Sequence, residues 1–288
     1  MYDYIRLEIT SLSFRDKLLR SPCLNNKMSG FNIDTAEIKG KIRARYQGLI
    51  FEIFPSGRIT IEGSLHKYHN LGEHNHNDFR YSDLVNVSND LITKFGEEIF
   101  RMTVTGLEFG ININTLFNPS TFTDRCVSHN NKERSPITKN DVKGFDKGIS
   151  FNSTDQRIKI YNKSKQYGQP INILRIEVKY LRSRAFKFAK IETFEDLLDK
   201  GSINALYNDL LLQIEGTIIK EDINTSKLTR PKERIYLECI NSCSWKHWSA
   251  RKRFIRKSDY LGLIPNFTTN YKETVFELMR QKITNLID

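Results

Sequence analysis

The sequence predicts an α+β protein in which an antiparallel β-sheet with flanking helices is followed by a helical C-terminal region. Up to about residue 185, apolar residues mostly alternate with polar ones, which is the period of a half-buried strand. Turn residues such as Pro55-Ser56-Gly57 separate these segments. Beyond about residue 185 the apolar period becomes 3.6, which is typical of amphipathic helices. We expect about five central strands, and the pattern leaves open whether the sheet is pseudo-duplicated.

The predicted strands all lie in the first two thirds of the chain. Each is rich in β-branched and aromatic residues that alternate with polar ones. Gly106 and Gly110 fall inside one of these segments, where they indicate bulges or the close approach of another backbone. A turn at Gly168-Gln169-Pro170 separates the last two strands. The strands are predicted at residues 4–9, 48–63 (a hairpin), 102–113, 157–161 and 171–180.

Helices are predicted where the apolar spacing lengthens. Ser82 can cap a helix whose broad apolar face runs to Phe95. Residues 114–150 are polar throughout and predict a long surface excursion, which is uncommon unless it is functional or mobile. In the C-terminal region the period predicts three helices, at residues 194–200, 204–220 and 271–286.

The composition excludes several classes of protein. The chain has 288 residues, of which 39% are hydrophobic, so it can bury a core and is not expected to be disordered. It has no run of 18 apolar residues and no apolar stretch of a secretory signal, so we expect neither a membrane span nor export. The cysteines lack the paired spacing of a structural zinc site and are expected to be reduced, in the cytoplasm. They are Cys23, Cys126, Cys239 and Cys243.

The charge balance points to a polyanionic partner. Lys and Arg number 45 against 34 Asp and Glu, a net charge of +11, and nucleic acid is the default partner for such a chain. Ten of the cations and only two acids lie in residues 227–257, where aromatic residues are interleaved with them. Cations hold phosphates and rings stack on unpaired bases, so we expect this segment to contact DNA. The alternative is a solvated helix face with core aromatics.

A histidine-rich segment at residues 64–79 is the first concentration of reactive groups. It contains four of the six histidines, among them His66. His74 and His76 are two apart, so on a strand both would face one way and could share a divalent cation. The surrounding Asn and Gly residues favour a polar surface loop instead, and both interpretations stay open.

Glu108 is the acidic member of a second segment. It alternates with Asn112 and Asn114 on one face of the predicted strand 102–113. Carboxylate and amide oxygens are the ligands that Mg²⁺ and Mn²⁺ prefer. This face therefore predicts a site for one of these ions, and a solvated strand face is the alternative.

Tyr161 lies among cations in the third segment. It shares a predicted strand face with Arg157, Lys159 and Lys163. Neighbouring cations lower the cost of a phenolate and bind the phosphate that it attacks, so this pattern suits a phosphodiester-cleaving tyrosine. Glu177 of the next strand could complete a metal site with Glu108. Ordinary charge pairing on a half-exposed strand is the alternative.

The order and spacing of these motifs resemble phage and plasmid replication initiators of the gene II/X type, whose best-known members serve filamentous phages. Residues 61–68 (IEGSLHKY) and 74–79 (HNHNDF) resemble the early motif of that family. Residues 157–163 (RIKIYNK) resemble the R-x-Y-[DN]-K strand of plasmid rolling-circle initiators, and residues 174–178 (LRIEV) resemble the L-R-x-E strand that follows it. The likeness covers roughly residues 1–185.

The resemblance implies a nickase that starts rolling-circle replication. In such initiators a tyrosine attacks one strand of the origin and stays linked to the 5′ phosphate, and a divalent metal polarises the scissile phosphate. Carried over by position, Tyr161 is the candidate nucleophile with Tyr167 as the alternative, and Lys163 steadies the phosphate charge. The implied ligands of Mg²⁺ or Mn²⁺ are Glu108, Glu177 and His66. The expected DNA contacts are Lys67, Lys159, Arg175, Arg251, Lys252, Arg253, Trp245 and Trp248.

The chain departs from the wider superfamily in one respect, because it lacks a histidine-hydrophobe-histidine triplet. We expect a catalytic nicking domain at residues 1–185 and a basic, DNA-binding helical region at residues 186–288. The expected partners are single-stranded or extruded origin DNA and the host helicase and polymerase in the bacterial cytoplasm, with no membrane. The alternatives are a non-enzymatic origin-binding or regulatory factor, and a related relaxase or transposase.

Overall fold

Regular structure follows the predicted order, with strands first and helices dominating the end of the chain. The computed structural model describes residues 1–24, 27–31, 38–130, 132–137 and 148–288. The chain divides into two units, the first made of residues 1–110, 179–207 and 284–288, the second of residues 111–178 and 208–283. The predicted α+β class, with an antiparallel sheet and a helical C-terminal region, is confirmed.

Strands predominate up to residue 114. The described strands there are β1 (Tyr2–Thr10), β2 (Met28–Phe31), β3 (Ile38–Tyr46), β4 (Leu49–Ile53), β5 (Arg58–Gly63) and β6 (Thr103–Asn114). The helices among them are α1 (Leu12–Arg20), α2 (Leu65–His69) and α3 (Tyr81–Phe95), and a 3₁₀ helix spans Glu97–Arg101.

Short strands and then helices make up the rest of the chain. The strands are β7 (Cys126–His129), β8 (Lys132–Glu133), β9 (Ser135–Pro136), β10 (Gly148–Asn152), β11 (Gln156–Asn162), β12 (Ile173–Tyr180) and β13 (Thr217–Ile219). The α-helices are α4 (Pro119–Arg125), α5 (Lys163–Tyr167), α6 (Lys200–Glu215), α7 (Arg230–Ile240), α8 (Ser242–His247), α9 (Ala250–Leu261) and α10 (Tyr271–Ile287). Short 3₁₀ helices span Ser183–Ala189, Glu195–Leu198, Thr225–Lys227 and Ile264–Asn266.

The first unit is built on an antiparallel sheet with the strand order β2-β3-β4-β5-β1-β6. Alternation gives this sheet one apolar face, on which Leu7 of β1 lies opposite Ile61 of β5 and both are buried. Helix α3 packs on that face, because the ring of Phe95 lies 4.9 Å from the ring of Phe51 in β4. Arg6, which points to the other face, is exposed.

A β-bulge interrupts the pairing of β1 with β6 close to the start of β1. Tyr2 pairs with Phe109 and Tyr4 pairs with Glu108, so Asp3 is the extra residue between them. A bulge bends its strand and re-aims the side chains next to it. The side chain of Asp3 therefore does not follow the alternation of faces along β1, and this happens where β1 pairs with the part of β6 that contains Glu108.

The second unit contains two sheets and most of the C-terminal helices. β9, β10 and β11 pair antiparallel, and β12 lies next to β11 with residues 111–114 of β6 beyond it. A smaller sheet has the order β13-β7-β8. Helices α7 to α9 close over a core that includes Tyr236, Trp245 and Tyr260. The indole N–H of Trp245 donates to the carbonyl of Cys239 at 2.8 Å.

The polar segment at residues 114–150 is more structured than predicted. Its described part contains α4, β7, β8, β9 and the start of β10, whereas residues 131 and 138–147 of the segment lie outside the described residues. Asn118 begins α4, since its side chain accepts a hydrogen bond from the backbone N–H of Ser120, and Pro119 occupies the first helical position. The predicted uninterrupted excursion is wrong for this part, because local capping outweighs the polar composition.

Other elements also differ from the prediction. Helix α3 begins at Tyr81, with Arg80 rather than Ser82 as its N-cap residue. Helix α5 was not predicted, and it ends at Gly168, which adopts the left-handed conformation that glycine tolerates best. Helix α6 stops at Glu215, because the β-branched residues after it form β13 instead of continuing the helix to residue 220.

Two further features are the state of the cysteines and the length and polarity of the helices. Cys23, Cys126, Cys239 and Cys243 are all free thiols in the structure. Over the described ranges of the chain, no helix combines the length and the apolar character needed to cross a membrane.

Candidate functional site

Two buried carboxylates lie side by side in the first unit. A carboxylate oxygen of Asp3 and one of Glu108 are within 4.8 Å of each other. Asp3 comes from the bulge of β1, and Glu108 comes from the neighbouring strand β6. The ammonium group of Lys179, at the end of β12, lies 3.9 Å from Glu108. Two like charges out of water repel each other, so this pair is a place where a cation binds favourably.

Asp3 is held by the turn that follows β5. Its Oδ1 accepts hydrogen bonds from the hydroxyl of Ser64 at 3.1 Å and from the side-chain amide of Asn75 at 2.5 Å. Ser64 is also the N-cap of α2, where its hydroxyl oxygen accepts from the backbone N–H of Lys67. One serine thus fixes both the start of a short helix and the orientation of an acidic side chain.

His66 is buried on α2, with 2% of its surface exposed. Its Nε2 lies 2.7 Å from the Oδ1 of Asn77, and its ring stacks on the ring of Phe79 at 5.1 Å. These contacts fix the imidazole in the turn that also carries Asn75, and within the part of the chain that the structure describes His66 joins no set of three clustered metal-binding side chains. Its predicted role as a third ligand stays a prediction. The rings of His74 and His76 lie 4.1 Å apart in a loop. Among the described residues, that pair joins no set of three clustered metal-binding side chains.

The second unit brings Tyr161, Lys163 and Glu177 together. The phenol of Tyr161 donates to Glu177 Oε2 at 3.2 Å and accepts from Lys163 Nζ at 3.3 Å. All three side chains are buried. Tyr161 and Glu177 come from β11 and β12, which lie next to each other in the sheet. The predicted association of a tyrosine, a cation and an acid is therefore present in this unit.

Glu177 is surrounded by charge partners that the sequence also singled out. Lys159 Nζ lies 2.5 Å from Oε1, and Arg175 Nε donates to Oε2 at 2.9 Å. Arg175 reaches further, and its Nη1 donates to the side-chain oxygen of Asn112 at 3.2 Å. Lys159 and Arg175 are 4% and 1% exposed, so they hold Glu177 and not a surface strand of DNA. Both were predicted as DNA contacts, and the structure instead pairs them with Glu177.

Tyr167 differs from Tyr161 in its accessibility. It is the last residue of α5 and is half-buried, whereas Tyr161 is 2% exposed and packs against Ile137. The ammonium group of Lys163 lies 5.1 Å from the centre of the Tyr167 ring and 3.3 Å from the hydroxyl of Tyr161. One lysine is thus close to both candidate nucleophiles, and Tyr167 is the more accessible of the two.

The predicted DNA contacts of the C-terminal helices divide into buried and exposed groups. Trp245 is 1% exposed and belongs to the core, so its predicted stacking on a base is corrected. Trp248 is partly buried, and Lys252 Nζ lies 5.2 Å from its ring centre. Arg251 and Lys252 are exposed on α9, whereas Arg253 donates to the carbonyl of Lys246 at 3.1 Å. Lys67 is half-buried on α2.

No family model matches this chain, and no curated protein sequence matches it. Among solved structures, the chain is similar to a rolling circle replication initiator protein from Geobacillus stearothermophilus. The TM-score is 0.40 and the sequence identity is 12%, with 91% of this chain and 96% of that chain covered.

The donor set of the first unit fits a hard divalent cation. Asp3 and Glu108 offer carboxylate oxygens, and Mg²⁺ and Mn²⁺ are bound in proteins by such oxygens. Asp3 is the residue that the sequence prediction missed, although it stands in the opening segment that resembles the initiator family. No pattern of alternation could identify it, because a bulge and not regular pairing brings it to Glu108.

Proposed function

We propose that this protein is a metal-dependent nickase that cuts and rejoins one strand of DNA through a tyrosine–DNA intermediate and so starts rolling-circle replication of a phage or plasmid. The observation that carries the proposal is the contact of Lys163 with two tyrosines beside Glu177. A cation next to a phenol lowers the free energy of the phenolate and attracts the phosphate that it attacks. The initiator-like motifs of the sequence contain the same residues.

Tyr167 is the nucleophile that burial favours. A phosphodiester must reach the attacking oxygen, and Tyr167 is half-buried at the end of a short helix. Tyr161, which donates to Glu177 and accepts from Lys163, then acts as a positioning residue for both charged groups. The alternative is attack by Tyr161 after the site rearranges.

The proposed step transfers one phosphodiester bond from DNA to the protein. The phenol loses its proton to a base, and its oxygen forms a bond with the scissile phosphorus. The bond from phosphorus to the 3′ oxygen breaks, and that oxygen takes up a proton and leaves as a 3′ hydroxyl. The tyrosine keeps the 5′ phosphate, so the energy of the bond is conserved and the reverse reaction rejoins the strand.

Asp3, Glu108 and Glu177 are the proposed ligands of Mg²⁺ or Mn²⁺, with His66 as a further candidate. All three side chains are buried carboxylates, and carboxylate oxygens are the ligands that these ions prefer. The ion, when bound, polarises the scissile phosphate. Lys159 and Arg175 hold the Glu177 carboxylate by one oxygen each, which fixes its orientation.

Unpaired DNA is the proposed substrate, from an extruded or melted origin. A tyrosine next to a sheet reaches a single strand more easily than a stacked duplex. The exposed cations of α9, Arg251 and Lys252, are proposed to hold flanking phosphates. A host helicase would then unwind the duplex, and a host polymerase would extend the free 3′ hydroxyl.

The test is formation of a covalent adduct with labelled single-stranded origin oligonucleotides and Mn²⁺. We expect Tyr167→Phe to abolish the adduct. Tyr161→Phe should slow it by about 10- to 150-fold, because a hydrogen bond to a charged group contributes about 1.5–3 kcal/mol. Tyr271→Phe, at a half-buried tyrosine of α10, is the matched control and should react like the wild type.

Other outcomes of the same assay would assign a different function. Loss of the adduct in Tyr161→Phe but not in Tyr167→Phe would make Tyr161 the nucleophile. Absence of an adduct in the wild type, with DNA binding intact, would favour a non-enzymatic origin-binding factor, which the basic surface of α9 could also serve. Strand-transfer products in place of a persistent nick would indicate a relaxase or transposase.

A further inference from the structure

A basic segment outside the proposed catalytic cluster follows β12 directly. Between Lys179 and Ile191 the chain contains four cations and no acid. We call residues 181–190 the basic turn. Its cations are Arg182, Arg184, Lys187 and Lys190, and all four are exposed.

The basic turn holds an aromatic ring outside the core. Phe186 and Ala189 are 0% and 1% exposed and anchor the turn, whereas Phe188 between them is 49% exposed. The ring of Tyr180, which is buried, lies 6.0 Å from Phe186 and 6.1 Å from Phe188. Because Phe186 and Ala189 are buried in the core, Phe188 between them is held at the surface. Leu181, at the start of the turn, is 43% exposed.

The ring lies between two lysines in one tight turn. The backbone N–H of Lys190 donates to the carbonyl of Lys187 at 3.0 Å, which closes a 3₁₀ turn around Phe188 and Ala189. Lys190 ends the helix in the left-handed conformation. Two ammonium groups and one exposed ring are therefore presented by four consecutive residues.

We propose that the basic turn binds an unpaired DNA strand, with Phe188 stacking on a base and Lys187 and Lys190 contacting the flanking phosphates. Charge complementarity argues for this partner, since the turn has only cations and its exposed apolar group is a ring. Stacking on aromatic rings combined with cations along the backbone is how sequence-tolerant proteins hold single strands. The proposal rests on the proposed function, because that function makes DNA the ligand. It adds the element that binds the single strand.

The experiment measures equilibrium binding of the full chain to a fluorescent single-stranded oligonucleotide, in EDTA so that no cleavage occurs. Phe188→Ala should weaken binding by about 5- to 150-fold, the loss expected for one stacked base. Lys187→Gln combined with Lys190→Gln should lower the slope of log K against log salt by about 1.4, because each single-strand phosphate contact contributes about 0.7.

Matched controls separate this role from a general effect of charge. Lys132→Gln combined with Lys220→Gln removes two exposed lysines elsewhere and should leave the slope within about 0.3 of the wild-type value. Phe188→Trp, which keeps a stacking ring, should restore the binding that Phe188→Ala loses. Thermal unfolding of each variant, which is expected to match the wild type, verifies that the surface changes leave the fold intact.

Three outcomes would overturn the proposal. The first is unchanged binding in Phe188→Ala, and the second is an unchanged salt slope in the double lysine variant. The third concerns vesicles of anionic phosphatidylserine. If Phe188→Ala and the double lysine variant lose vesicle binding that the wild type shows but keep single-stranded DNA binding, the turn would be assigned to a membrane surface. Because the assay needs no metal and no cleavage, absence of the tyrosine–DNA adduct would refute the nickase without changing this result.

Discussion

Asp3 and Glu108 form the residue-scale feature on which metal binding depends. Both are buried, and Asp3 already accepts hydrogen bonds from Ser64 and Asn75. Such bonds hold a ligand in place before an ion arrives, which raises affinity. The arrangement therefore favours a divalent ion at this pair over one at the many exposed acids of the surface.

We predict that Asp3→Asn and Glu108→Gln each weaken Mn²⁺ binding by at least about tenfold, since either change removes an anionic ligand. Titration of the protein with Mn²⁺, followed by the electron paramagnetic resonance signal of the free ion, measures this. Glu73→Gln, at an exposed acid of the same unit, is the control and should bind like the wild type. If the wild type and all three variants bind Mn²⁺ with equal affinity, neither Asp3 nor Glu108 is a ligand of the ion.

Where alternation is regular, the structure brings together side chains that the sequence grouped, and their roles stay predictions. Lys159, Tyr161 and Glu177 were expected together, and their side chains meet in the second unit because β11 and β12 are adjacent. Asp3 was missed because a bulge positions it. Trp245 was misassigned because spacing along a helix does not reveal which ring the neighbouring helices cover.

At the scale of elements, the pairing of β7 with β13 contains a buried histidine. His129 lies opposite Thr217, and its Nδ1 is 3.1 Å from the threonine hydroxyl. Burial lowers the pKa of His129 from 6.5 to about 4. The unfolded chain therefore binds more protons than the folded one between these pH values, and stability present above pH 6.5 is lost as the pH falls toward 4.

We predict that protonation of His129 lowers the free energy of unfolding by about 3 kcal/mol as the pH falls from 6.5 to 4. Urea unfolding between pH 4 and 7 measures the loss. His129→Gln should show a correspondingly smaller dependence on pH, and His247→Gln, at an exposed histidine, should keep the wild-type dependence. An identical pH dependence in His129→Gln and the wild type would contradict the assigned role.

Helix α9 is the second element with a testable role. Arg251 and Lys252 are exposed there, and Ser249 caps the helix with its hydroxyl. We predict that Arg251→Gln combined with Lys252→Gln lowers the salt slope of duplex DNA binding by about 2, because each phosphate contact contributes about 0.9. Lys17→Gln combined with Arg101→Gln removes two exposed cations elsewhere as a control. A slope equal to that of the control would show that α9 does not contact phosphates.

Most long elements were predictable, whereas short ones were not. β1, the hairpin of β4 and β5, β6, β11, β12 and α10 follow clear periodicity in the sequence. Helix α5 has five residues, too few for a 3.6 period to be recognised, and depends on Asn162 as its N-cap and Gly168 at its end. The strand β13 follows a helical pattern without a break in apolar content, so only its pairing with β7 identifies it.

At the scale of the whole molecule, neither unit is a continuous stretch of chain. The first unit takes residues 1–110, 179–207 and 284–288, and the second takes residues 111–178 and 208–283. The predicted division at residue 185 is a division of roles between nicking and DNA binding, and it stays a prediction. The composition along the chain cannot show that β6 and β12 each contribute residues to both units. That division depends on hydrogen bonding between strands that are far apart in the sequence.

The most direct measurement is the position of the DNA attachment, determined by mass spectrometry after trypsin digestion of protein reacted with a single-stranded origin oligonucleotide and Mn²⁺. Cleavage after Lys and Arg separates the two candidates, since Tyr161 falls in the peptide 160–163 and Tyr167 in the peptide 166–175. We predict a nucleotide mass on peptide 166–175. Cut DNA with both peptides unmodified would contradict attack by a tyrosine at this cluster.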